Sequence, residues 1–150
     1  MEPSDVASFV PHAGRMVWLD RIVDHGDDWL EAEVTVRRES LLTGETGVGG
    51  WVGIEYMAQA VAALAGVRAR TQGEPVKIGF LVGTRRYVSR WPRFPLGCRL
   101  RIHVRQDFEA GNGLSVFACR IAHGDEEVAA ADLNVFQPAD PIGFLEEEGP

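Results

Sequence analysis

Hydrophobic and polar positions alternate with a period of two in the clearest strand-like segments, residues 30–36 and 98–104, and one long stretch follows a different pattern. Between Gly49 and Gly66, apolar residues occupy every azimuth of a helical wheel. Trp51, Val52, Ile54, Tyr56, Met57, Val61 and Leu64 are spaced by alanines. A helix apolar on all sides is expected to be buried on all sides. The stretch predicts a helix from Trp51 to Thr71, ended by Gly73 and Pro75. Before it, Met16–Val23 and Trp29–Val36 flank His25-Gly26-Asp27-Asp28. In the second of these, Leu30, Ala32, Val34 and Val36 alternate with Glu31, Glu33 and Thr35, which predicts a hairpin with one wet face. After the helix come Lys77–Tyr87, a bend at Trp91-Pro92-Arg93-Phe94-Pro95, and Cys98–Val104. Turns at Gly111-Asn112-Gly113 and Gly124-Asp125 then separate Leu114–His123 from Glu127–Phe136. Pro3 to Pro11 reads as one or two short helical turns.

Six strands and one long apolar helix have an economical arrangement, an antiparallel sheet curled around the helix. The predicted class is α+β, one domain over residues 1–150, with 139–150 a loosely ordered acidic tail. No basic segment leads into an apolar one, and the apolar run Tyr56–Val67 is shorter than the roughly 20 residues that span a bilayer. The expectation is a cytoplasmic protein without a membrane span. Cys98 and Cys119 stand alone, with no metal-ligand spacing around them, which predicts reduced thiols and no metal site.

The net charge of −7 conceals an asymmetry. Residues 68–105 carry ten basic groups and one acid, Glu74, whereas residues 106–150 carry one basic group and ten acids. Arg68, Arg70, Arg85, Arg86, Arg90 and Arg93 can form a local positive surface toward an acidic partner, or they can be solvated strand faces. No aromatic-basic motif of a nucleic-acid reader occurs, so nucleic acid is not an expected partner. Gly44 to Gly49 lacks the Gly-Lys-Ser/Thr ending of a phosphate loop.

One carboxylate lies inside the apolar helix. Glu55 sits in its first turns with Gln59 one turn later, where a charge is costly unless it is paired, protonated or used. Apolar surroundings are also what tune a carboxyl for proton transfer near neutrality. Glu55 can equally be a salt-bridged structural group, and Tyr56 a core residue.

Three blocks resemble the hotdog-fold 3-hydroxyacyl-ACP dehydratases of fatty-acid synthesis. They are Val10-Pro11-His12 through Asp20-Arg21-Ile22-Val23, then Ile54-Glu55-Tyr56-Met57-Ala58-Gln59-Ala60, then Gly79-Phe80-Leu81-Val82-Gly83 with Arg85-Arg86-Tyr87 and Pro95-Leu96-Gly97. Within that superfamily the helix block and Gly79–Tyr87 are most similar to the ApeP-like group, associated with aryl polyene synthesis. The resemblance implies a six-stranded hotdog sheet around the helix and edge-to-edge pairing as a homodimer or hotdog heterodimer. It also implies a substrate carried on the phosphopantetheine of acyl carrier protein, with no other cofactor. It makes Glu55 the catalytic carboxyl, Gly50 with Gly49 the backbone donors to the thioester oxygen, and Gln59 and Tyr56 supporting residues. The arginines named above would then dock the carrier protein.

One family feature is missing. The housekeeping enzymes place a catalytic histidine in a Gly-His-Phe-Pro loop fourteen residues before the helix acid. Here that position is Leu41, and residues 26–102 contain no histidine. His12 is the candidate substitute, although the housekeeping enzymes carry a Pro-His pair there too, so it can equally serve as a lid. His25, His103 and His123 read as surface residues. Three functions stay open: a dehydratase using Glu55 with His12 or a water; a thioesterase in which Glu55 activates water; and a non-catalytic hotdog subunit that binds acyl chains or completes a heterodimer. The absent loop favours the third, and a thioesterase would need no histidine.

Overall fold

The computed structural model describes residues 19–37, 47–73 and 80–136. The predicted N-terminal turns, His12 and the tail 139–150 lie outside the described residues. The strands are β1 (Arg21–His25), β2 (Trp29–Thr35), β3 (Gly47–Gly49), β4 (Phe80–Ser89), β5 (Arg93–Pro95), β6 (Arg99–Glu109), β7 (Leu114–His123) and β8 (Glu126–Phe136). A 3-10 turn, Gly50–Val52, leads directly into the long helix α1 (Gly53–Gln72).

Six strands form one antiparallel sheet in the order β1-β2-β6-β7-β8-β4. Sequence alternation decides which face meets the helix. Leu30, Ala32 and Val34 of β2, Leu100, Ile102 and Val104 of β6, and Phe117, Cys119 and Ile121 of β7 are all buried in the core with Met57, Ala60 and Leu64 of α1. Each of the Leu, Ile, Val, Phe and Met side chains among them contributes about 1.5–3 kcal/mol on burial. The ion pairs on the opposite face, where Arg21, Arg99 and Arg101 surround Glu33, are worth at most about 1 kcal/mol each. The apolar face therefore holds the sheet on the helix.

Three expectations change in detail. The α-helix proper begins at Gly53, two residues later than predicted, because the 3-10 turn takes the first positions. The helix is not buried all round: Trp51 is 62% exposed, and Ile54, Glu55, Ala58, Ala62 and Ala65 form a half-buried stripe at helical spacing. Alanines spread around a wheel hide such a stripe, since their burial depends on what the fold lays against them. Finally, β3 and β5, predicted as loop and bend, pair antiparallel through Gly47↔Pro95, Val48↔Phe94 and Gly49↔Arg93. That small second sheet fixes the point where α1 starts.

Candidate functional site

The start of α1 is held by backbone. The Gly50 N–H donates to the Pro92 carbonyl at 2.9 Å. The Tyr87 hydroxyl donates to the Gly50 carbonyl, and the Ser89 hydroxyl donates to the Trp91 carbonyl at 2.5 Å. These contacts demand glycine. A Cβ on Gly50 would stand 2.6 Å from the Trp91 carbonyl oxygen and 2.8 Å from Ser89 Oγ, and a Cβ on Gly53 would overlap the Tyr87 hydroxyl. Burial pushes the Tyr87 phenol above its ordinary pKa, so it stays protonated and can donate. Tyr87 was legible only as part of a family block. Nothing in the sequence showed that it touches a turn 37 residues away.

Glu55 lies two residues beyond Gly53, about 200° around the helix from the Tyr87 contact. It is half-buried, on the stripe that includes Ala58 and Ala62. The Gln59 amide, fully buried, donates to Glu55 Oε1 at 3.3 Å. This is the one-turn pairing that the spacing predicted. Tyr56 turns into the core instead, 2% exposed and stacked on Phe94 with ring centroids 6.3 Å apart. Burial is the main cause that pushes its phenol pKa far up, followed by Cys98 and Asp20. Tyr56 is thus a core residue.

The two glycines expected to bind the thioester oxygen are at the helix start, where the Gly50 amide is already in use. Gly49 belongs to β3 opposite Arg93, and the Gly50 amide is given to Pro92. The turn that follows leaves the Trp51 and Val52 amides ahead of the first repeating hydrogen bonds, as every helix start does.

The arginines do not form one surface. Arg68 is spent inside the fold: its Nε donates to the Asp27 carbonyl at 2.6 Å and Nη2 to Gln106 Oε1 at 2.8 Å. Arg70, exposed, lies in the last turn of α1, about 23 Å along the helix from Glu55. Arg85 and Arg86 are exposed on β4, and Arg90 and Arg93 are exposed where β4 leads into β5 beside Gly50. Periodicity could not separate these groups because the separation is made by the crossover of α1.

Of the described histidines, His103 stacks on Trp29 on the outer face of the sheet, with centroids 5.9 Å apart. His123 lies exposed against Trp91 at 5.2 Å, and His25 ends β1. None is hydrogen-bonded to Glu55. Among the described residues no group of three metal-ligating side chains comes together, and Cys98 and Cys119 are free thiols. No helix among them is long and apolar enough to cross a membrane.

Comparison with solved structures establishes the fold. The chain is similar to a structure of the dehydratase heterocomplex ApeI:P from Xenorhabdus doucetiae, with TM-score 0.88 and 24% identity over 100% of this chain and 99% of that one. It is also similar to Cj0977, a sigma28-regulated virulence protein from Campylobacter jejuni, with TM-score 0.70 and 9% identity over 92% and 99% of the two chains. A hypothetical thioesterase with coenzyme A from Streptococcus pneumoniae TIGR4 gives TM-score 0.61 and 14% identity over 79% and 87%. The fold is the hotdog fold. No curated protein sequence matches the chain. A family profile described as ApeP dehydratase matches residues 4–146, and the chain belongs to this ApeP-like family.

Proposed function

We propose that the protein is a 3-hydroxyacyl-ACP dehydratase subunit that forms a trans-2-enoyl thioester with loss of water. The observation that carries the reading is Glu55: a carboxyl on the less-buried side of an otherwise apolar helix, oriented by a buried Gln59, one turn from a glycine-lined helix start. The reaction needs a base for the proton next to the carbonyl, an acid for the leaving hydroxyl and donors for the enolate-like oxygen. Glu55 supplies the proton transfer, with His12 or a water as its partner. Gly49 and Gly50 let the thioester approach closely. Because the Gly50 amide already serves Pro92, the donors to the oxygen are the Trp51 and Val52 amides at the positive end of the helix. The substrate arrives on the phosphopantetheine of acyl carrier protein in the cytoplasm, as in aryl polyene or fatty-acid-like synthesis. Arg85, Arg86, Arg90 and Arg93 are the cations on the mouth side and receive the carrier and its phosphate. The subunit works in a hotdog dimer.

Incubation with 3-hydroxyacyl-ACP, read by mass spectrometry of the acyl chain, tests the reading. Loss of one water is expected, and Glu55→Gln should slow it by about 10²–10⁴-fold. Undiminished dehydration by that variant would remove Glu55 from the mechanism. Release of free carrier protein would instead mark a thioesterase. A second reading, a non-catalytic subunit completing a heterodimeric dehydratase, is favoured by the described histidines, all placed elsewhere than beside Glu55. In that case the chain alone leaves the acyl-ACP unchanged.

A further inference from the structure

We propose that Tyr87 is a positioning residue for the thioester oxygen. A bulge in β4 turns its hydroxyl onto the Gly50 carbonyl, and that hydrogen bond aims the Trp51 N–H out of the helix start. The role rests on the reading of this helix start as the place where the thioester binds, and it assigns the side chain that sets the donor's direction.

Alternation along β4 breaks between Arg85 and Val88. Arg85 pairs with Asp132 and Val88 with Ala130, so three steps on β4 answer two on β8. Neighbouring positions fix the two faces. Thr84 lies opposite Leu133 and Ser89 opposite Ala129, both core residues, whereas Arg85 and Val88 are exposed on the outer face. Without the extra residue, strict alternation from Thr84 would send Arg86 and Val88 inward and leave Tyr87 and Ser89 outside with Arg85. With it, Tyr87 packs against the core and Ser89 shares its face. The backbone bears the cost at Arg86, whose φ of 57° is left-handed in a residue that carries a Cβ. Among the described residues no other non-glycine has a positive φ. Bulges of this kind re-aim side chains beside active sites.

Both re-aimed hydroxyls act on one turn. Tyr87 donates to the Gly50 carbonyl. Ser89 donates to the Trp91 carbonyl at 2.5 Å, and the next carbonyl, that of Pro92, accepts the Gly50 N–H at 2.9 Å. The peptide groups on both sides of Gly50 are thus held from outside the helix. Peptide planarity carries this grip to the donor. The Gly50 C=O and the Trp51 N–H belong to one trans peptide and point in opposite directions, so a hydroxyl that fixes the carbonyl also fixes the amide. That amide points away from α1, at its positive end. A donor fixed beforehand needs no reorganisation when negative charge develops on the oxygen. Phenylalanine at position 87 would keep the ring in place and leave the Gly50 carbonyl to the Gly53 N–H alone.

Two readouts on Tyr87→Phe test the role. In infrared difference spectra, hexanoyl-pantetheine labelled with 13C at the thioester carbonyl should give a band at lower wavenumber on the unmodified protein than in buffer. In Tyr87→Phe that band should broaden and move back toward its position in buffer. With 3-hydroxyacyl-ACP, kcat should fall by about tenfold to a hundredfold at unchanged KM, because the alignment of a donor matters most in the transition state. A tyrosine that only packs would lower the melting temperature and leave band and kcat unmoved, and that result would overturn the proposal. An unmodified protein that leaves the band at its buffer position would overturn it too. Should Tyr87→Phe not fold, Ser89→Ala carries the same two readouts, with the same direction expected and the same unmoved result against it. A shifted band without dehydration by the unmodified protein would sink the dehydratase reading and leave the role of Tyr87 to the infrared result. Undiminished dehydration and an unmoved band in Tyr87→Phe would do the reverse.

Discussion

The two ends of α1 are fastened in opposite ways. At its start, glycines let backbone carbonyls and a tyrosine hydroxyl come into contact with the turn: Gly50 against Trp91 and Pro92, Gly53 against Tyr87. At its finish, long side chains do the fastening. Arg68 reaches Asp27 and Gln106, Gln106 donates to buried Ser115 at 3.1 Å, and Gly73 closes the helix in the left-handed conformation at φ 69°. Under the proposed function the first end admits a thioester, for which the close backbone approach and fixed dipoles that small residues give are suited. An end that only closes the core can use flexible polar staples. Changes at the first end should alter chemistry and stability together, and changes at the second should alter stability alone.

Gly50→Ala is the harshest test. Its new methyl meets a backbone carbonyl at 2.6 Å, which cannot swing aside as a side chain tip can. The expected loss is about 3 kcal/mol in a denaturant titration, with a fall in dehydration rate of at least about tenfold in the protein that remains folded. A stable, fully active Gly50→Ala protein would show that the helix start tolerates movement.

Arg68→Ala comes next, losing two charge-assisted hydrogen bonds worth about 2 kcal/mol together. Its rate constants and its KM for acyl-ACP should not move. A raised KM would restore Arg68 to the carrier-docking surface that the sequence suggested. Gly73→Ala is milder: the site is open, with nothing within 4 Å of the added carbon, so only the left-handed backbone opposes it, at about 1 kcal/mol.

The contrast between the two ends also explains what could be read in advance. Strand alternation in residues 30–36 and 98–104, the turn glycines and the apolar helix are local patterns, and the sheet around the helix follows from them. The Glu55–Gln59 pair was legible for the same reason, one helical turn being a fixed spacing. The Tyr87 clamp and the β3–β5 pairing were not, because three-residue strands carry no period and the contacts join segments far apart in the chain. The arginines show the limit most clearly. Close in sequence from 68 to 93, they are divided by α1 between a staple at one end of the molecule and an open edge at the other.

The smallest expected effect concerns the finishing end, where His103 stacks on Trp29 beside the β1–β2 turn. Burial is the main cause that lowers its pKa below the usual 6.5; Arg120 and Arg105 add to the lowering, and Glu31, opposite it on β2, opposes it. The aromatic face of Trp29 would also favour the charged ring. A folded-state pKa below the unfolded one means that the unfolded chain binds more protons in the window between them, so stability rises with pH there. The contribution is fully present above about pH 6.5 and is lost as the pH falls through the lowered folded value. Unfolding free energies measured between about pH 5 and 8 should therefore slope less in His103→Gln than in the unmodified protein, with the two curves converging in shape above about pH 7. A steeper slope in the variant would mean that Glu31 and Trp29 together outweigh desolvation. In either case the dehydration rate should be the same for both proteins, since His103 sits on the outer face at the end of the molecule that closes the core.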